Sequence, residues 1–297
     1  MPIEARPATD ADLPALAALQ QRYDTRWFGA PEHDETEVRE ELDRVKPLAD
    51  RSRLLFQGDL LAAAAWWWRP EDATLLVDVE ATEVVLDDVV AWLQRSGVVN
   101  VEALAEDAAT VAALRRQGWQ HHLSQFELLR DVAGLTDPRW PDGVEVSSIG
   151  AHGDETAETA EVHRLIYEEA RWTDVPGHGA RDLAEWRGLF LPEDVDRGQQ
   201  VLARRDGRLV GAALGKTFSD GTGWVAQVAV APDLRGSGLG SALIAEAFGR
   251  RVAAGARRLG LGVSAANADA LRLYQRLGLE IDREWMAFRP ATPQRTE

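Results

Sequence analysis

One segment of this 297-residue chain occurs twice, and the recurrence limits the folds that the chain can adopt. Residues 107–118 (DAATVAALRRQG) align without gaps on residues 267–278 (NADALRLYQRLG). Residues 53–64 also resemble residues 201–212, and both segments are typical of a hairpin with a Gly/Asp turn. Because this spacing is far too long for a solenoid unit, the sequence predicts two tandem copies of one fold.

The boundary between the two copies is predicted at a linker over residues 131–141, which is rich in turn-forming glycine and proline. The first domain then covers 1–130 and the second covers 142–297, and each is long enough to bury its own core. In the second domain, strands predicted near 143–148, 200–217, 223–231, 258–263 and 280–289 alternate with helices near 155–170, 239–254 and 268–277. This alternation predicts an α/β (α+β) class with helices around a mixed sheet.

Composition excludes several classes of function. The chain has no cysteine, so disulfides, thiolate catalysis and cysteine metal sites are excluded, and a cytoplasmic protein is expected. A net charge of −16 argues against nucleic acid as a partner. We expect no membrane association and no metal site, since no apolar run approaches a membrane span and the histidines are scattered. A monomer and a homodimer both remain open.

The stretch 227–240 (QVAVAPDLRGSGLG) predicts a buried strand, a turn, a glycine-rich loop and the start of a helix. Amide groups of such a loop can point at an anion, and the helix N-terminus carries about half a positive charge. Arg235 adds a cation with fork geometry. Spacing excludes a Walker loop, because no lysine follows, and a dinucleotide fingerprint, because position 241 is Ser241.

The order Arg-Gly-Ser-Gly-Leu-Gly resembles the Arg/Gln-x-x-Gly-x-Gly/Ala motif of the GCN5-related N-acetyltransferases, abbreviated GNAT. Residues 267–278 match a second motif of that family, Asn-x-x-Ala-x-x-Leu-Tyr followed by Gly, with Asn267 as helix N-cap and Gly278 as helix end. Together the motifs identify residues 143–289 as a GNAT domain. The two-domain layout is similar to that of mycothiol synthase, although the glutamate which that enzyme carries on the strand before the loop is not matched.

The resemblance implies mostly antiparallel sheets in both domains and acetyl-coenzyme A as co-substrate, with the pyrophosphate held by the glycine-rich loop. No metal is implied. The residues implied to bind the coenzyme are Val228, Ala229, Val230, Arg235, Gly236, Ser237, Gly238, Leu239, Gly240, Ser241, Asn267, Ala270 and Tyr274.

The chemistry implied by the resemblance is direct attack of a neutral amine on the acetyl thioester. The backbone N–H of Val228 is expected to polarise the acetyl carbonyl, and the Tyr274 hydroxyl is expected to protonate the departing thiolate. The strand before the loop has no carboxylate, and Gln227 there can hold only a water or an acceptor hydroxyl. Candidates for the base are Glu168, Asp174, His178 and Glu284, of which His178 has the most suitable intrinsic pKa.

An acceptor pocket is predicted from large rings and acids of the second half, although core packing of the rings is also open. The residues predicted to bind the acceptor are Glu168, Trp172, Asp174, Trp224 and Trp285. A small-molecule amine is the preferred acceptor. A protein lysine or N-terminus, and a coenzyme-A-binding sensor without catalysis, remain as alternatives.

The first half lacks the coenzyme motifs. Where the loop is expected, residues 79–88 (VEATEVVLDD) hold four acids and no glycine, and Leu114 stands at the tyrosine position. Such a loop would repel a pyrophosphate, so the first domain is predicted to be degenerate and structural.

Overall fold

The computed structural model describes residues 3–78, 80–151, 153–175 and 179–291, which divide into two compact units. The first unit comprises residues 1–124 and 283–297, and the second comprises residues 125–282. Each unit holds a sheet flanked by helices, as the sequence predicts. In the described part of the chain, no helix is long and apolar enough to cross a bilayer.

The first unit is built on a sheet in which β1 to β4 follow one another antiparallel and β4 lies parallel to β5. Alternation along β2 and β3 supplies two cores: Leu54 and Trp66 pack with α1 and α2, whereas Leu55 and Ala65 pack with α4. The elements are β1 (Ile3–Arg6), α1 (Leu13–Phe28), α2 (Glu35–Val45), α3 (Leu48–Arg51), β2 (Ser52–Gln57), β3 (Leu60–Arg69), β4 (Asp72–Val77), α4 (Glu83–Arg95), β5 (Val101–Leu104), α5 (Ala108–Arg116) and β6 (Trp119–Asp131).

The second unit has the strand order β6-β11-β10-β9-β8-β7, and every pair except β10 with β11 is antiparallel. This confirms the mixed, mostly antiparallel sheet. The elements are β7 (Val144–Ser148), α6 (Glu155–Arg164), α7 (Leu183–Phe190), β8 (Val201–Arg205), β9 (Arg208–Thr217), β10 (Thr222–Val230), α8 (Leu239–Ala253), β11 (Arg258–Ser264), α9 (Ala268–Arg276) and β12 (Glu280–Pro290). The helix predicted over 155–170 changes to a π-helix at Leu165–Glu169.

The repeated segment forms the same local structure in both units. Asp107 caps α5 by accepting a hydrogen bond from the N–H of Thr110 at 3.1 Å, and Asn267 caps α9 by accepting one from the N–H of Ala270 at 3.2 Å. Gly118 and Gly278 follow the two helices with positive φ values of 81° and 80°. The helix predicted over 268–277 is therefore present as α9, and the segment aligned with it forms the matching helix α5.

The compact units differ from the predicted division at residues 130 and 142. Residues 125–131 of β6 pair with β11 of the second unit, and residues 285–288 of β12 pair with β5 of the first unit. A cut at the predicted linker would therefore remove a strand from each sheet.

Candidate functional site

The candidate site begins where two strands of the second unit stop pairing. The parallel ladder of β10 and β11 runs only from Thr222 to Val225 on one strand and from Arg258 to Leu261 on the other. Within the described chain, no ladder pair joins these strands beyond that point, although β10 continues to Val230. The sheet therefore splits along the last part of β10.

A β-bulge in β10 decides which backbone groups face the split. The register with β9 jumps from Val225 opposite Gly215 to Gln227 opposite Leu214, so Ala226 is an extra residue. Beyond the bulge, the N–H of Ala231 donates to the carbonyl of Val210 at 2.9 Å. Beyond the bulge, the backbone groups of the odd-numbered residues of β10 form the hydrogen bonds to β9, because alternate residues of a strand bond to the same neighbouring strand.

The N–H groups of Val228 and Val230 consequently point toward the split. Both side chains are half-buried and pack against the second unit's core. This places Val228 where its N–H can donate to an oxygen lying between β10 and β11. The orientation is the one that the sequence prediction requires of Val228.

The glycine-rich loop follows β10 and leads into α8. Gly236 and Gly238 have φ values of +78° and +92°, and a Cβ at either position would meet nothing within 4 Å. Because residues with a Cβ adopt such backbone conformations at a cost of about 1–2 kcal/mol, the loop geometry requires glycine. Residues 235–238 are exposed and Leu239 is fully buried, so the loop is anchored by its helix and open to solvent.

The first turn of α8 presents unpaired amides to this open side. Gly238 is the N-cap and provides no side-chain cap, so the N–H groups of Gly240 and Ser241 lack intrahelical acceptors. Ser237 donates its hydroxyl proton back to the carbonyl of Leu234 at 2.7 Å. Arg235 donates to the carbonyl of Ala170, just after the π-helix, at 2.7 Å.

Helix α9 lies beside this loop. The side chain of Leu273 contacts Gly240 of α8, 3.5 Å from the place of an added Cβ, and the next residue is Tyr274. The Tyr274 ring packs against the second unit's core, and burial raises the pKa of its hydroxyl to about 12. The hydroxyl therefore stays protonated at neutral pH and is a proton donor. Asn267 and Ala270 form the cap of the same helix.

Comparison with known proteins agrees with this geometry. Residues 161–279 match the Acetyltransferase (GNAT) family. Mycothiol acetyltransferase of Thermomonospora curvata is 32% identical over 58% of this chain, and the match spans only 56% of that relative. Mycothiol acetyltransferase of Streptomyces avermitilis is 27% identical over 80% of this chain and 79% of its own length.

Two solved structures share the whole fold. A GCN5-related N-acetyltransferase from Sphaerobacter thermophilus has a TM-score of 0.79 and 23% identity, covering 98% of this chain and 97% of its own. A tandem GNAT protein from the clavulanic acid biosynthesis pathway has a TM-score of 0.71 and 14% identity, covering 97% and 98%. Residues 161–279 thus match a family of acyltransferase enzymes, and the whole chain has the fold of a tandem GNAT protein.

Among the described residues, the first unit has no open glycine-rich loop at the corresponding place. Asp78 follows β4 as Ala231 follows β10, since the N–H of Asp78 donates to the carbonyl of Ala62 at 2.8 Å. The Asp78 carboxylate accepts the N–H of Glu80 at 3.0 Å and is paired with Arg22. A carboxylate of the protein itself thus accepts the hydrogen bond of a loop amide that a bound phosphate would need.

Trp224 is one of the residues predicted to bind the acceptor. Its indole lies against β11, where a Cβ added at Gly260 would come within 2.8 Å of the ring. A Cβ added at Gly223 or at Gly215 would meet Arg251 of α8. Trp224, which follows Gly223, therefore faces the opposite side of the sheet. Trp224 is half-buried and lies just before the bulge.

The other residues predicted on the acceptor side lie in different environments. Gln227 is 3% exposed, and its side-chain oxygen accepts the indole N–H of Trp186 at 2.7 Å. Glu168 is exposed on the π-helix, and Asp174 pairs with Arg171 at the surface. Trp172 packs against the second unit's core. His178 lies outside the described residues.

Two predicted residues near the C-terminus belong to the first unit. Glu284 accepts the hydroxyl proton of Ser124 at 2.5 Å, and Trp285 packs against the core cluster formed around α1 and α2. Their predicted roles as base and acceptor residue remain predictions, and the structure does not group them with the second unit's site.

Sequence reasoning missed an aromatic cluster on the same side as Gln227. The His163 ring lies 4.7 Å from the Tyr167 ring and 5.6 Å from the Trp186 ring, between centroids. Nε2 of His163 is 2.9 Å from the carbonyl oxygen of Arg181, which can only accept, so Nε2 donates its N–H to that carbonyl. The signal available in the sequence was the spacing of His163 and Tyr167, four residues apart on one helix.

Proposed function

We propose that this protein is an acetyl-coenzyme-A-dependent N-acetyltransferase that acts on a small-molecule primary amine by direct attack on the thioester. The observation that carries the proposal is the split between β10 and β11, which opens beside a glycine-rich loop with free amides. A slot next to an anion-binding loop suits a long ligand with a pyrophosphate at one end and a reactive group at the other.

The residues fit that co-substrate in charge and shape. Gly236 and Gly238 put no side chain over the loop, the N–H groups of Gly240 and Ser241 lack intrahelical acceptors, and the N-terminus of α8 favours a pyrophosphate. Arg235 lies at the same exposed edge, and one of its nitrogens is already bonded to the carbonyl of Ala170. When bound, acetyl-coenzyme A supplies the activated acetyl group, and the protein need not supply a nucleophile.

The chain's own groups perform three tasks in this proposal. The Val228 N–H donates to the carbonyl oxygen as negative charge develops on it, an interaction typically worth about 10²–10³ in rate. The Tyr274 hydroxyl donates its proton to the leaving sulfur. Gln227 and Trp186, which are hydrogen-bonded to each other, form a rigid wall on the acceptor side.

A small-molecule acceptor is supported by the relatives named mycothiol acetyltransferase. The acceptor of this chain need not be theirs, because β10 has no carboxylate anywhere between Thr222 and Val230. We propose that the amine binds over the half-buried face of Trp224, and that it loses its proton to solvent or to a base outside β10. The cytoplasmic location remains a prediction.

The test is a screen of amines with acetyl-coenzyme A, read by release of the free thiol and by the mass of the product. Amino sugars, amino acid derivatives, aminoglycosides and lysine-containing peptides form the panel. Acceptor-dependent release with a small amine is the expected result. Release with peptides alone would overturn the small-molecule proposal. Binding of coenzyme A without release for any amine would overturn catalysis and favour a sensor.

A further inference from the structure

A charged side chain lies in the core of the second unit without a charged partner. Arg251 of α8 is 0% exposed, and burial lowers the pKa of its guanidinium to about 10, so it remains charged at neutral pH. Among the described residues it bonds only to backbone carbonyls, and its Nη2 has no acceptor. Burying a charge without a carboxylate costs stability, which points to a role for Arg251 other than packing alone.

The bonds of Arg251 lead to the bulge of β10. Its Nε donates to the carbonyl of Trp224 at 3.1 Å, and its Nη1 donates to the carbonyl of Ala247, in its own helix, at 2.8 Å. Trp224 is the residue directly before Val225, where the register jumps. The guanidinium thus ties α8 to the backbone at the point where the split begins.

Two glycines make this contact possible. A Cβ at Gly215 would lie 1.9 Å from the carbonyl oxygen of Trp224 and 2.8 Å from Nη2 of Arg251. A Cβ at Gly223 would lie 2.9 Å from the Cβ of Arg251. The Trp224 carbonyl therefore occupies space that any other residue at position 215 would fill, and Arg251 lies across both glycines.

A buried glutamine holds the same point from the neighbouring strand. Gln200 is 0% exposed, its oxygen accepts the N–H of Gly215 at 2.9 Å, and its nitrogen donates to the carbonyl of Gly215 at 3.0 Å. This side chain continues the ladder of β8 by one residue pair. Gly215 is thereby fixed on one side by Gln200 and on the other by the bulge.

The bulge has a chemical consequence, because an extra residue reverses the alternation of the strand. Before the bulge, the N–H of Phe218 donates to the carbonyl of Thr222 at 2.9 Å, so the even-numbered residues of β10 form the backbone hydrogen bonds to β9. After the bulge, the odd-numbered residues of β10 form these bonds. Without the bulge, the N–H of Val228 would point at β9 and would be unavailable to a ligand in the split.

We propose that Arg251 is a positioning residue for acetyl transfer: it holds the β10 bulge through the carbonyl of Trp224, and the bulge directs the N–H of Val228 into the split. This inference rests on the proposed function, and its structural half can be measured without activity. Arg251 acts through the backbone and touches no substrate. A displacement of about 1 Å at a reacting centre can cost about 10²-fold in rate, which sets the scale of the effect.

The test compares Arg251→Met with Arg250→Met in the full-length chain. Methionine keeps an unbranched apolar stem and removes the donors. Arg250 is the matched control, because it is the adjacent arginine of α8 and bonds to Ser148 and to the carbonyls of Gly198 and Gln200 rather than to β10. For Arg251→Met we expect kcat to fall by about 10–100-fold with KM for acetyl-coenzyme A little changed. Arg250→Met should retain kcat.

The second measurement is hydrogen–deuterium exchange of peptides covering residues 222–231, which needs no substrate. Arg251→Met should speed exchange in residues 222–231, and its melting temperature should equal or exceed that of the wild type. A merely structural role would instead lower the melting temperature and leave kcat unchanged. Arg251→Lys, which keeps one donor, should recover part of kcat and also serves if the methionine variant does not fold. Unchanged exchange in a folded variant would overturn the inference, even if the wild type proved inactive. Unchanged kcat in an active enzyme would overturn it as well.

Discussion

Replacing Tyr274 by phenylalanine separates a chemical role of this residue from a packing role, because the ring stays and one hydroxyl is lost. Burial raises the pKa of Tyr274 to about 12, so only about one hydroxyl in 10⁴ is ionised at pH 8. The group is thus a proton donor over the whole working range. General acid catalysis is typically worth about 10²–10⁴-fold, and we expect kcat of Tyr274→Phe to fall by that factor.

The assay is steady-state thiol release, with coenzyme A affinity measured by calorimetry and folding measured by thermal melting. The affinity should change by less than about threefold, since phosphate contacts are untouched. Tyr23→Phe is the matched control, because Tyr23 is 5% exposed in the first unit and packs edge-on against Trp27 and Phe28. A turnover of Tyr274→Phe within about threefold of wild type would refute the role of this hydroxyl as the acid.

The raised pKa of Tyr274 also predicts a stability effect with a definite sign. The unfolded chain ionises this group near pH 10 and the folded chain near pH 12, so stability is lost as pH rises through that window. The phenylalanine variant lacks this loss. The difference in unfolding free energy between Tyr274→Phe and wild type should therefore shift by about 1 kcal/mol in favour of the variant between pH 7 and about pH 11. Equal changes in both proteins would show that the hydroxyl is solvated.

Three further substitutions test single contacts. Arg235→Ala should weaken coenzyme A binding by about 1–3 kcal/mol in calorimetry, the scale of a charged hydrogen bond, and an unchanged Kd would exclude Arg235 from the site. Asn267→Ala should lower the free energy of unfolding by about 1 kcal/mol through loss of the α9 cap, and no loss in denaturant titration would contradict that capping role. Asp12→Asn should flatten the acid side of the stability curve. The hydrogen bonds from Arg6 hold the pKa of Asp12 far below its usual value, so the stabilisation is present above about pH 4 and is lost as pH falls below it. Equal acid sensitivity of both proteins would contradict this.

Local signals account for the parts of the fold that the sequence predicted well. The helix after Asn267 has a side-chain cap at one end and a positive-φ glycine at the other, and both are readable without tertiary structure. The strand–loop–helix unit around Gly238 is equally local. Because the repeat aligned α5 with α9, a single motif located two helices.

Long-range packing accounts for what the sequence did not predict. The pairing of Trp285 with Leu104 joins residues far apart in the chain, and nothing in the C-terminal strand indicates which sheet it joins. The bulge at Ala226 lies beside Gly215 and close to Arg251, which are on different elements. An arginine in an amphipathic helix is ordinarily exposed, so its burial could not be read from the pattern.

The acceptor side was predicted least well, because its residues have no fixed spacing. Gln227 was assigned to the acceptor and is bonded to Trp186, whereas His163 and Tyr167 were not selected at all. Trp285 was assigned to the acceptor pocket and Glu284 was a candidate base, but both fall in the first unit. Composition indicates which residues are available for a pocket, and only the fold brings particular ones together.

The central claim is that one loop, in the second unit, holds the coenzyme. Calorimetric titration of the intact chain with coenzyme A tests it directly, and we expect one site per chain. Gly238→Glu places a negative charge on the N-cap of α8 and should abolish that site. Thr82→Glu places the same charge on the exposed N-cap of α4 in the first unit and should leave the titration unchanged. Two sites per chain, or binding that survives Gly238→Glu, would contradict the claim.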